Sequence, residues 1–162
     1  MSVALSHPPG ADRRNRLIGV ATFAGGSFWH VERAFRKVPG VIETTAGYTG
    51  GTVPNPGYER VATDATGHAE AVRVEFDPGR VSYEELLEVF WQLHDPTRPR
   101  LSRRRSAIFV HSPEQERAAQ ESVAAHEAAL GRTVLTEISR ASLFYRAEER
   151  HQHSLERSSL AG

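Results

Sequence analysis

The chain has 162 residues, twenty basic and twenty acidic side chains that cancel, and an apolar fraction of 39%, the profile of one ordinary domain with one buried core. Net neutrality excludes a general attraction to nucleic acid or membrane surfaces, and no apolar run approaches the ~20 residues of a membrane span. Cysteine is absent, which excludes disulfides, cysteine-bearing zinc sites and every thiolate nucleophile at once.

Nineteen of the basic residues are arginine and Lys37 is the only lysine, a bias that points to a GC-rich genome more readily than to nucleic-acid binding. The first seventeen residues lack the apolar stretch of a signal peptide. A cytoplasmic protein is therefore expected, with residues 1–16 a flexible arm, residues 17–157 one domain, and residues 158–162 a tail.

Leu17 to Ala24 is apolar and β-branched enough for a buried strand, ended by Gly25-Gly26. Phe28, Val31, Phe35 and Val38 recur at helical spacing, and Pro39-Gly40 stops that helix. Val41 to Tyr48 reads as a strand running into Gly50-Gly51. After a turn-rich excursion through Pro54-Asn55-Pro56-Gly57, a strand is expected from His68 to Phe76, closed by Asp77-Pro78-Gly79. Ser82 and Glu85 form a capping box ahead of Leu86, Val89, Phe90 and Leu93, and this helix should end near His94, before Asp95-Pro96.

Ser106 to Val110 is the next strand. Ser112-Pro113 opens a long alanine-rich helix that Gly131 terminates, and Val134 to Ile138 is a last strand. The order strand, helix, strand, strand, helix, strand predicts an α+β fold: a two-layer sandwich with a ferredoxin-like core and a mainly antiparallel sheet.

Three motifs in that frame, Gly25-Gly26-Ser27-Phe28-Trp29, Gly47-Tyr48-Thr49-Gly50-Gly51 and Thr66-Gly67-His68-Ala69-Glu70, resemble the signatures of the methionine sulfoxide reductase A family. So do Phe76-Asp77-Pro78, His94-Asp95-Pro96-Thr97, Arg105-Ser106-Ala107-Ile108-Phe109 and His151-Gln152, in the family's order from Leu17 to Leu155. The resemblance implies an enzyme in which a thiolate after the glycine pair attacks the sulfur of methionine sulfoxide. It becomes a sulfenic acid that a second thiol resolves.

Here the attacking position is Ser27, and a hydroxyl cannot support sulfenic acid or disulfide chemistry. Two further positions where the family often has cysteine are His30 and Ala62. The family's longer loop after His94-Asp95-Pro96-Thr97, with an active-site Asp and Tyr, is replaced by Arg98 to Arg104. Natural divergence accounts for both changes together better than a laboratory Cys-to-Ser exchange.

Glu70, Tyr48 and Ser27 are accordingly the candidate catalytic residues, and Phe28, Trp29, His30 and Arg104 the candidates for substrate binding. For Ser27 the bland alternative is an ordinary helix N-cap; for Glu70, a solvent-facing strand residue; for Tyr48, a core aromatic. Phe28 and Trp29 are adjacent on one helix, so one should pack inward while the other lines the pocket. Five arginines between Arg98 and Arg105 read as a solvated loop, or as a source of one guanidinium turned inward to grip an anionic group. The histidines are too scattered for a metal site, and no metal or other cofactor is expected.

On these residues the expected function is a non-redox enzyme, Glu70 and Tyr48 doing acid/base work on a small molecule by cyclisation, dehydration, isomerisation or hydrolysis. A non-catalytic binder of a sulfoxide or thioether is the alternative, and an inactive Cys-to-Ser reductase a further one. The expected partner is a small-molecule ligand, with no nucleic acid, no membrane and, for want of a thiol to exchange, no thioredoxin.

Overall fold

A computed structural model describes residues 17–153; the expected arm at 1–16 and tail at 158–162 lie outside the described residues. Strands β1 (Gly19–Gly25), β2 (Val41–Thr49), β3 (Ala69–Phe76), β4 (Ser106–Val110), β5 (Glu137–Arg140) and β6 (Phe144–Arg146) form one sheet in the order β5-β4-β1-β3-β2-β6. Helices α1 (Phe28–Arg36), α2 (Tyr58–Val61), α3 (Tyr83–Gln92) and α4 (Pro113–Leu130) make it a mixed α+β fold. Pairings β1–β3, β1–β4, β2–β3 and β2–β6 are antiparallel, and β4–β5 is parallel. No helix among the described residues is long and apolar enough to cross a membrane.

Strand alternation divides the core. Phe23, Val72, Val74 and Ile108 join Phe28, Phe35, Leu86 and Phe90 in the main cluster, where Phe23 stacks on Phe35 at 4.9 Å and on Phe90 at 5.3 Å. The intervening residues Ala24, Ala69, Ala71, Ala107 and Phe109 form a smaller cluster with Ala141 and Phe144. Glu70 lies between two alanines of that second set, so its carboxyl is on the main-core side, and it is 1% exposed.

The helices begin where their caps dictate. Ser82 and Glu85 make both bonds of the capping box, Ser112 accepts from the Gln115 amide, and Gly131 closes α4 at φ 66°, a left-handed turn that glycine adopts without strain. Helix α1 stops at Arg36 rather than Val38, because the residue before Pro39 is pushed out of helical geometry.

The last expected strand is displaced, running from Glu137 to Arg140 instead of Val134 to Ile138. The Val134 amide is taken by Glu127 and the Leu135 amide by the Pro96 carbonyl, so neither enters a ladder. Strand β6 and the one-turn α2 are absent from the sequence expectations. Three residues paired to Gly47–Thr49 across about a hundred positions leave no periodic signal of their own.

Gln152 completes the edge of β2. Its Oε1 accepts from the Ala46 amide, and its Nε2 donates to the Ala46 and Ala147 carbonyls at 2.8 and 2.9 Å. Gln152→Leu keeps the bulk but orphans the Ala46 N–H and the Ala147 C=O, and should cost about 2–6 kcal/mol at ~1–3 per buried group. Urea unfolding measures it, and a loss under about 0.5 kcal/mol would mean that water or relaxation replaces the clamp.

Candidate functional site

The turn from β1 into α1 builds the centre of the site. Gly26 has φ 107°, open to glycine but strained for other residues, and a Cβ on Gly25 would lie 3.1 Å from His94 Nδ1. Ser27, half-buried, is the N-cap of α1: its Oγ accepts from the Trp29 amide at 3.3 Å, and its carbonyl accepts from His30 and Val31. The backbone N–H groups and dipole of a nine-residue helix start there.

Glu70 is brought to the same place by register. It sits directly opposite Tyr48 in the β2–β3 pair, so both side chains share a face. Its Oε1 accepts from the Phe28 amide at 3.2 Å, while its Oε2 is 3.6 Å from Arg104 Nε without a hydrogen bond. Burial raises the Glu70 pKa, and the Phe28 amide, Arg104 and Arg103 oppose that rise. Of the loop's arginines it is Arg104 whose Nε stands against Glu70, while Arg100 Nη1 lies 3.6 Å from where a Cβ on Gly26 would be.

Tyr48 is fully buried, its ring 5.7 Å from that of Phe28. Its hydroxyl donates to Glu148 at 2.8 Å; burial first, and then that carboxylate, push its pKa well above the usual tyrosine range. Glu148 also accepts from the Tyr58 amide at 3.1 Å. Burial would push the Glu148 carboxyl up, but the Tyr58 amide, its own amide, the Tyr48 hydroxyl and His151 together hold it below the usual carboxylate range.

Phe28 packs inward with no exposure, and Trp29 beside it is half-buried. Trp29 stacks on Tyr58 at 5.9 Å and donates its indole N–H to His151 at 3.2 Å, while Tyr58 stacks on His151 at 4.6 Å. Phe28, Trp29, Tyr58 and His151 thus form an aromatic wall beside Ser27 and Glu70. His30 is not brought to it; its exposed ring lines a groove between α1 and α3 with Arg33, Lys37, Val89 and Leu93.

Tyr58, Glu148 and His151 are site residues that the sequence expectations did not name. Their signal is weak: a tyrosine after Pro56-Gly57, and a run of charges before the quoted His151-Gln152. Among the described residues, no group of three or more His, Asp or Glu side chains could hold a metal ion.

Behind the glycine turn, His94 Nε2 meets Ser106 Oγ at 2.7 Å, while its Nδ1 is buried without a partner. Burial first, and then Arg100, push its pKa down to about 4 from 6.5. Between those values the unfolded chain binds the proton and the folded chain does not, so stability falls as pH drops through that window. The loss is at most about 3 kcal/mol. Urea unfolding at about pH 7 and about pH 4.5 should show it, and His94→Gln should flatten it; an unchanged slope would remove His94 as its source.

The sequence pattern of the family described as "Peptide methionine sulfoxide reductase" matches residues 19–161. Peptide methionine sulfoxide reductase MsrA of Geobacter sulfurreducens is 51% identical over 154 residues, covering 88% of this chain and 93% of that one. Among solved structures, methionine sulfoxide reductase A of Corynebacterium diphtheriae superposes with a TM-score of 0.81 at 34% identity, over 88% of this chain and 76% of its own. Mxr1 of Saccharomyces cerevisiae in complex with Trx2 superposes with a TM-score of 0.63 at 25% identity, over 93% and 91%.

These findings correct two expectations. A non-redox acid/base enzyme is overturned by relatives at 51% identity that carry the reductase name, and the geometry gives the reason. The retained phenol and carboxyl are not idle acid/base groups, since Tyr48 is spent on Glu148 and Glu70 on the Phe28 amide. The exclusion of thioredoxin is overturned by the Mxr1–Trx2 complex among the structural neighbours. That exclusion rested on the absence of any thiol in the chain to exchange, and a missing thiol does not by itself decide whether two surfaces dock. With the family pattern spanning residues 19–161 and half of its residues shared with a named reductase, the chain belongs to the peptide methionine sulfoxide reductase family.

Proposed function

We propose that this chain acts on methionine sulfoxide in peptides and proteins, with the substrate methyl against Phe28 and Trp29, its sulfur at position 27 and its oxygen towards Glu70. The observation that carries this is the convergence of three features: an N-terminal helix turn at Ser27, a buried carboxyl bonded to the next amide, and an aromatic wall at their side. An apolar wall suits the S-methyl group, and buried polar atoms suit the S–O dipole.

Because the chain has no cysteine, both electrons come from thiols outside it. In the overall reaction, a sulfoxide and two thiols give a thioether, a disulfide and water: the sulfur is reduced, the thiols are oxidised, and the oxygen leaves with the two thiol protons. A dithiol protein of the thioredoxin kind is the reductant that fits, and the reducing cytoplasm is where such thiols are kept ready. The strand order β4-β1-β3-β2 at the centre of the sheet supports a ferredoxin-like frame for the domain, with Ser27 at the end of its first strand.

A thiol placed at position 27 gains from positioning what a free thiol lacks. Ser27→Cys should raise sulfoxide turnover with dithiothreitol at least ~100-fold over the parent, well within the range of oriented intramolecular attack. The assay is release of the thioether from a methionine sulfoxide peptide. No gain in folded Ser27→Cys would show that position 27 does not face the sulfur.

A further inference from the structure

The arginines of the segment 98–105 divide by partner. Arg98 pairs with Asp95 at 3.3 Å, Arg103 with Asp64 at 2.7 Å and Arg105 with Glu137 at 3.0 Å, each the ordinary engagement of a surface loop, while Arg100 is exposed with its Nη1 3.6 Å from where a Cβ on Gly26 would stand. Arg104 turns the other way, its Nε buried 3.6 Å from Glu70 Oε2 and its side chain 37% exposed. Neither of those two buried atoms has a well-formed hydrogen bond among the described residues, so carboxyl and guanidinium meet as a loose ion pair. A planar group with five donors therefore stands at the wall of the site with its buried Nε held only loosely among the described residues, next to the carboxyl that is bonded to the amide following Ser27.

A loosely held guanidinium beside a buried carboxyl calls for an acceptor that brings no full charge into an already paired site. A sulfoxide oxygen is such an acceptor, carrying much of the S–O dipole, and a thioether offers nothing comparable. Resting on the reading above, we propose that Arg104 recognises the sulfoxide oxygen, so that the site prefers sulfoxide to thioether through a guanidinium hydrogen bond. As a thiol attacks the sulfur, electron density moves onto that oxygen and the same cation stabilises it without giving up a proton. Once the oxygen has left as water the bond no longer exists, and the thioether product is released.

The test is calorimetric binding by the full chain, which with serine at position 27 holds substrate without forming a sulfenic acid. The probes are N-acetyl-methionine sulfoxide methylamide and N-acetyl-methionine methylamide, whose capped ends leave no carboxylate for an arginine to grip. The parent should bind the sulfoxide at least ~10-fold more tightly than the thioether, as a charge-assisted hydrogen bond provides. Arg104→Met should abolish that preference while thioether affinity stays within about two-fold, and Arg104→Lys should keep part of it. Thermal unfolding of both variants shows whether either loss is one of folding, and the lysine variant carries the test if the methionine variant unfolds.

A folded Arg104→Met protein that keeps the sulfoxide preference would overturn the role of Arg104 and leave the proposed substrate standing. A parent that binds neither probe, together with an inactive Ser27→Cys variant, would overturn both.

Discussion

The structure turns on one buried carboxyl. Glu70 is carried on a central strand, points into the main core, and spends one oxygen on the amide of Phe28. That bond joins the sheet to the first turn of α1 and fixes where Ser27, Phe28 and Trp29 stand. A carboxyl so deeply buried is costly unless its charge is met. An amide and a guanidinium at hand are what the fold supplies.

A half-buried carboxylate, Glu148, organises the other wall. It ties the Tyr48 hydroxyl to the Tyr58 amide, and so connects β2, the turn-rich excursion and the chain after β6. Tyr58 and His151 can stack only when those three segments are held together. Gln152 then clamps the final described stretch to the edge of β2. The aromatic wall is thus a product of the whole topology rather than of any local motif, with Trp29 and His151 bonded across 122 positions.

Ser27 shows how little a change of nucleophile disturbs such a frame. The hydroxyl serves as an N-cap, which serine does well, so the turn that would present a thiol persists around an oxygen. Stability and chemistry are separable at this position: the cap bond depends on a side-chain acceptor, while the reaction depends on a polarisable nucleophile. The fold and the aromatic wall are thus built by contacts other than those of the Ser27 side chain.

The sequence by itself determined the parts that rest on local chemistry. Caps at Ser82, Ser112 and Gly131, the glycine turn before Ser27, strand β4 and the absence of any thiol follow from neighbours in the chain. So does the shared face of α1, from the spacing of Phe28, Val31 and Phe35. Only tertiary structure decided which polar side chains meet. Register set Tyr48 opposite Glu70, long-range contacts brought in Glu148, Tyr58 and His151, and of five arginines in one loop it was Arg104 that met Glu70. Those choices depend on which buried group lacks a partner once the sheet has formed, and a charged loop has no periodicity from which such a choice could be read.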